Sequence, residues 1–135
     1  MILVDTSAWM EFDRATGSPA DARLTQLIRE DGPVAVTEPV VMEVLAAART
    51  DARGRDLRRL LLRFSLHPVE SSTDLEAAAR VYRRCRTSGI TPRGLVDCLI
   101  AAVAWRTDAT LLAHDISLHR VAGVMGIEMD PASHH

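Results

Sequence analysis

Leu95-Val96-Asp97-Cys98-Leu99-Ile100-Ala101-Ala102-Val103-Ala104-Trp105 is the most apolar stretch of the chain, yet it carries a carboxylate near its start. Pro92 precedes it, so the stretch reads as a helix over residues 93–106, with Pro92 marking its entry. Thr110-Leu111-Leu112-Ala113 follows at once as a short buried strand, and Asp115 stands just past its end. A carboxylate in such surroundings costs several kcal/mol in lost hydration unless it is paired, metal-bound or neutralised. Asp97 therefore asks for an explanation, and the strand after it supplies a neighbour with the same problem.

Two more acids stand in equally apolar company. Asp5 closes the run Ile2-Leu3-Val4, and Glu43 interrupts Pro39-Val40-Val41-Met42-(Glu43)-Val44-Leu45-Ala46. Only Arg93, four residues before Asp97, is a basic neighbour at helical pairing distance, so a paired structural carboxylate is an alternative for any one of the four. The other acids sit in polar stretches, where a solvated helix face accounts for them.

Between these points, short apolar strands alternate with helices. Strands are expected at residues 2–4, 34–36, 66–69, 110–113 and 127–129. The helices expected between them cover 8–14 (capped by Thr6 or Ser7), 19–30, 38–49 (capped by Thr37), 55–64, 72–86 (capped by Ser72 or Thr73), 93–106 and 116–124. Such alternation predicts an α/β fold, a parallel sheet covered on both faces. In such sheets sites form outside the carboxyl ends of the strands. Asp5 and Asp115 lie at such ends, and Glu43 and Asp97 lie about a turn into their helices. All four acids can share one pocket.

The 135 residues allow one domain, and 47% apolar content supports a packed core. The domain is expected to cover 1–132, with 133–135 a tail or tag remnant; His134 and His135 are not read as a metal site. Cys85 and Cys98 are too few for a disulfide framework. The start lacks the basic, cleavable pattern of a signal peptide, and the longest apolar run is far below the roughly 20 residues of a membrane span, so a soluble cytoplasmic protein is expected. Net charge is −2, unlike a typical nucleic-acid-binding domain, but every basic residue is arginine, a bidentate phosphate binder.

An all-oxygen cluster suits hard cations such as Mg²⁺ or Mn²⁺ and not structural zinc. His67, His114 and His119 are read as surface or outer residues, with His114 beside Asp115 kept as a proton-transfer candidate.

The ordered set Ile2-Leu3-Val4-Asp5-Thr6-Ser7-Ala8-Trp9, Thr37-Glu38-Pro39-Val40-Val41-Met42-Glu43, Gly94-Leu95-Val96-Asp97-Cys98-Leu99-Ile100-Ala101-Ala102 and Leu111-Leu112-Ala113-His114-Asp115 resembles the PIN domain, specifically VapC-type toxin ribonucleases. The resemblance covers nearly the whole chain. It implies a three-layer fold with five parallel strands in the order 3-2-1-4-5, and a metal-dependent endoribonuclease acting on structured RNA, commonly transfer RNA. It further implies a homodimer and an antitoxin partner that reaches the cleft. The family's acids map onto Asp5, Glu43, Asp97 and Asp115, and its small hydroxyl onto Thr6, with Ser7 beside it. The family's last motif often carries a further acid and an aromatic, where this chain has Ser117 and Leu118. A fifth carboxylate is absent, so a second metal, if one is used, is expected to arrive with the RNA phosphate and not to be held by the protein alone.

The expected roles follow. Asp5, Asp97 and Asp115 hold the metal, and Glu43 is either a ligand or the group that orients water. Arg86 and Arg93, flanking the loop into the Asp97 helix, are the expected RNA contacts; the arginine ridges over 53–63 and 80–86 are equally well read as solvated faces. A phosphoacceptor receiver domain would need paired acids after the first strand and a late lysine, and a metal-dependent phosphatase would need an acid at position 7, which is Ser. A catalytically dead partner module would not need the complete acid set.

Overall fold

The computed structural model describes residues 1–133. Its elements are β1 (Ile2–Val4), α1 (Thr6–Asp13), α2 (Pro19–Arg29), β2 (Val34–Val36), α3 (Glu38–Ala46), α4 (Asp51–Leu61), β3 (Ser65–Leu66), α5 (Ser71–Thr87), α6 (Leu95–Arg106), β4 (Thr110–Leu112) and α7 (Ile116–Met125). The strands form one parallel sheet in the order β3-β2-β1-β4. β1 is central and buried at every residue, so both sheet faces are covered. Helices α1 to α4 pack among themselves, as do α5, α6 and α7. Crossovers between parallel strands keep one hand. The chain moves outward from β1 to β2 and β3, then returns to β4 on the other side of β1.

That reversal is what positions the site. The carboxyl ends of β1 and β4 are neighbours, joined where Asp5 N–H donates to the Leu112 carbonyl at 2.9 Å. The chains leaving them, α1 and α7, diverge and open a crevice at the switch point. Trp9, fully buried on α1, meets Phe12 edge-on at 6.0 Å and Phe64 at 5.9 Å, which anchors α1 to the α4–β3 connection.

Several local expectations need correction. The fifth strand is reduced to one parallel bridge, Leu111 with Met129. Leu111 does exchange bonds with the Glu128 carbonyl and the Asp130 N–H. Beyond it the Ser133 hydroxyl takes the Ala113 N–H at 3.2 Å, so a side chain replaces the next rung of the ladder. Ser133, grouped above with the tail, is thus buried within the domain; His134 and His135 lie outside the described residues. β3 is shorter and earlier than expected, because Pro68 cannot donate to a ladder.

Helix boundaries move for similar reasons. α6 begins at Leu95, not at Arg93, which lies in the preceding loop. Asp5 itself, rather than Thr6 or Ser7, caps α1. Thr37 sits at the cap of α3 without a capping side-chain bond, and Glu70, rather than Ser72 or Thr73, is the cap residue of α5. α4 starts earlier than expected because Thr50 caps it, its side chain accepting from the Arg53 N–H.

One buried ion pair escaped the sequence reading. Asp74 on α5 is 1% exposed and faces Arg106 at the end of α6, with Arg106 Nη2 2.9 Å from its Oδ2. The same guanidinium donates to the Pro68 carbonyl at 2.6 Å, tying α5, α6 and the loop after β3 together.

Candidate active site

Asp5 and Asp115 are held by the same device. Asp5 directly follows β1 and Asp115 stands three residues past β4; each caps the helix that follows and accepts the backbone N–H two residues on: Ser7 N to Asp5 Oδ2 at 3.1 Å, Ser117 N to Asp115 Oδ1 at 2.8 Å. Strand and cap together leave each carboxylate one orientation, toward the crevice. Ser7 adds a second hold. Its hydroxyl donates to Asp5 Oδ2 at 2.6 Å and accepts the His114 N–H at 2.8 Å, linking the exits of β1 and β4 through one side chain.

Glu43 and Asp97 come from helices. Thr6 Oγ1 donates to Glu43 Oε1 at 2.7 Å, so α1 fixes the acid of α3. Asp97 stands in the first turn of α6 and is 6% exposed, and its Oδ2 is buried without a hydrogen-bond partner. Its nearest cation is Arg93, whose Nη2 lies 3.6 Å from Asp97 Oδ2 and 2.5 Å from Asp115 Oδ2. The helix expected to carry Arg93 is absent at that residue, yet the loop still delivers the guanidinium to both acids.

All four acids, with Thr6, Ser7, Arg93, His114 and Ile116, line one cleft of about 450 Å³. The electrostatics follow from this crowding. Burial pushes the Asp97 carboxyl up to about 6; the Asp5 charge adds to this, Arg93 opposes it, and Asp115 and Glu43 push further upward. Burial also raises Asp5, against the two bonds from Ser7 and with the charges of Asp115 and Glu43.

The donor set fits a hard divalent cation. Four carboxylates share the cleft with a single guanidinium, and Asp97 Oδ2 is an orphaned buried acceptor of the kind a cation satisfies. Among the described residues no three His, Cys, Asp or Glu side chains stand close enough together to hold a metal ion as they are, and Arg93 holds Asp115 and Asp97 from the loop side.

Other expected residues fall elsewhere. Arg86 is exposed on the last turn of α5 and does not line the cleft. Arg53 is drawn to Asp13 on α1, and Arg63 lies over the Phe64 ring. Neither His67 nor His119 lines the cleft, while His114 does, with its Nε2 3.5 Å from Glu11 Oε1. The bridging role of Ser7 was not legible, because its second partner is a backbone N–H 107 residues away. Among the described residues no helix is long and apolar enough to cross a membrane.

Comparison with known proteins agrees with this architecture. The PIN domain family model matches residues 2–124. The chain is 39% identical over 129 residues to VapC ribonuclease Mb1587 of Mycobacterium bovis and to ribonuclease VapC11 of Mycobacterium tuberculosis, covering 95% of this chain and 96% of each relative. The fold is similar to a chain of the crystal structure of VapBC2 from Rickettsia felis bound to a promoter DNA fragment, with TM-score 0.73, 16% identity, and 96% and 98% of the two chains covered.

Proposed function

The chain belongs to the PIN-domain family and, within it, to the VapC ribonucleases, and from that premise we propose that it is a metal-dependent endoribonuclease, the toxin of a toxin–antitoxin pair. One observation carries the reading of the site: four acids from four separate segments end in one cleft, where Asp97 Oδ2 lacks any hydrogen-bond partner.

Asp5, Asp97 and Asp115 are the metal ligands in this reading, and Mg²⁺ or Mn²⁺ bound there supplies Lewis-acid charge and a lowered water pKa at the phosphodiester. Glu43 orients the attacking water. Thr6 occupies its Oε1, which leaves Oε2 to accept a proton. Ser7 holds Asp5, so that the carboxylate need not reorganise. Arg93 gives its guanidinium to the attacked phosphate when RNA enters, and Arg86, exposed at the end of α5, contacts an outer phosphate. In-line attack by water breaks the bond to the 3′-oxygen and leaves a 5′-phosphate and a 3′-hydroxyl. The substrate is structured RNA, with transfer RNA the first choice. The same membership supports a cognate antitoxin that covers the cleft, and a homodimer.

The test is cleavage of labelled transfer RNA with and without Mg²⁺ or Mn²⁺, with acetyl phosphate as a parallel substrate for the phosphatase and receiver readings. Asp5→Ala should abolish cleavage while leaving RNA binding largely intact. Full activity of that variant, or undiminished cleavage in excess EDTA, would sink the proposal.

A further inference from the structure

A second cleft, of about 490 Å³, adjoins the acidic one and shares Arg93 and Ile116 with it. Its other walls are the 89–91 loop and, from α7, Ser117 and Arg120. No acid lines it, whereas four line its neighbour. Arg120 is exposed and makes no ion pair among the described residues, unlike Arg93, whose guanidinium is committed to Asp115 and Asp97. The Ser117 hydroxyl accepts the Arg93 N–H at 3.2 Å and so ties the loop to α7, holding the two walls at a set distance.

This arrangement answers a problem created by the first cleft. A phosphodiester must approach four carboxylates on a chain of net charge −2, and the one cation there is already engaged. The metal and Arg93 of the reading above serve the attacked phosphate, so a cation beside the acids is what remains for the next phosphate along the strand. Ile116 and Arg120 are four residues apart, so they lie on one face of α7, about 6 Å apart along its axis. That step is comparable to the spacing of adjacent phosphates on a single strand. The serine at 117 belongs to the same device. A carboxylate there would place a negative charge in the wall of the second cleft, and a neutral hydroxyl leaves the cleft open to an anion.

Resting on the ribonuclease reading above, we infer that the second cleft is a phosphate subsite for the nucleotide next to the scissile bond, with Arg120 the cation that neutralises it. Arg120 positions the strand and touches none of the reacting atoms. Its loss therefore raises KM and leaves kcat within about twofold.

The probe is fluorescein-labelled bulk transfer RNA, titrated in EDTA from roughly 50 to 200 mM NaCl. Arg120→Gln should weaken binding about three- to tenfold and lower the salt slope by about 0.9, the value of one phosphate contact. Ser117→Asp should weaken binding at least as much. Arg29→Gln, an equal loss of charge on exposed α2, should leave affinity and slope unchanged. Wild-type binding and cleavage with Arg120→Gln indistinguishable from Arg29→Gln would overturn the subsite alone. A wild-type protein that neither binds nor cuts the RNA overturns the ribonuclease reading, and the subsite with it.

Discussion

Thr6 Oγ1 lies 2.7 Å from Glu43 Oε1, a bond spanning 37 residues that joins the first turn of α1 to the middle of α3. Only one oxygen of Glu43 is occupied by it. The acid is oriented without being neutralised, which is what a water-orienting group needs. Removing the hydroxyl frees the Glu43 side chain to adopt other rotamers. Thr6→Val should lower kcat about 10- to 100-fold, the usual cost of losing an outer partner, and Thr6→Ser should restore most of it. Steady-state cleavage kinetics check this, and an unaffected Thr6→Val variant would refute it.

Ser7 connects Asp5 Oδ2 with the His114 N–H. Ser7→Ala leaves two partly buried polar groups without that partner, at about 1–3 kcal/mol. Urea unfolding monitored by tryptophan fluorescence should show the loss, with the slope against denaturant unchanged.

Asp97 makes the metal-free protein pH-sensitive. Its folded value, about 6, is above the ordinary 3.8, so the folded state binds the proton more tightly than the unfolded chain does. The contribution to stability is complete below about pH 4 and is lost as pH rises through about 6. Asp97→Asn removes that loss. At pH 7.5 in EDTA it should be more stable than wild type by roughly 1–3 kcal/mol, and its melting temperature should vary less between pH 4 and 7. Mn²⁺ should then stabilise wild type but not the variant. A less stable Asp97→Asn protein at pH 7.5 would count against a strained carboxylate.

Arg93 already holds Asp97 and Asp115, so in the proposed site a cation would compete with it for both carboxylates. Arg93→Gln should therefore tighten Mn²⁺ binding in calorimetric titration, by about three- to tenfold given the screening of an exposed guanidinium. Weaker binding would show that Arg93 assists metal entry instead of opposing it.

Asp74 depends on Arg106. Burial would raise its carboxyl, but the hydrogen bonds from Arg106 and the Glu70 N–H outweigh it and hold the group below its ordinary value. Its stabilising contribution is present above pH 4 and fades as pH falls through the lowered value. Arg106→Leu strands a charge that is 1% exposed, at about 3–5 kcal/mol, and Asp74→Asn in the same chain should recover part of the loss. Equal stability of Arg106→Leu and wild type would contradict the pairing.

The alternation of short apolar runs with helical spacing was enough to read the parallel sheet, because each buried strand must be apolar on both faces. The four acids were legible for the converse reason: each interrupts apolar sequence where a carboxylate is costly. Arg93 was recognised from its spacing to Asp97, although it acts from a loop and not from the helix expected there. Other features were hidden. Nothing in the spacing of Asp74 and Arg106 announces a pair separated by 32 residues, and Arg86 and Arg93 looked equivalent until only one of them faced the cleft.

The sequence alone determined the class of fold and singled out the four acids, since these depend on residue type and on periodicity along the chain. Tertiary structure decided which groups meet. The strand reversal beside β1 brings Asp5 and Asp115 together, Thr6 fixes Glu43, Ser7 joins two strand exits, and Arg120 and Ser117 come to wall an acid-free cleft next to the acidic one. Contacts of that kind span from roughly 25 to more than 100 residues, and they exist only once packing has set the crossovers in place.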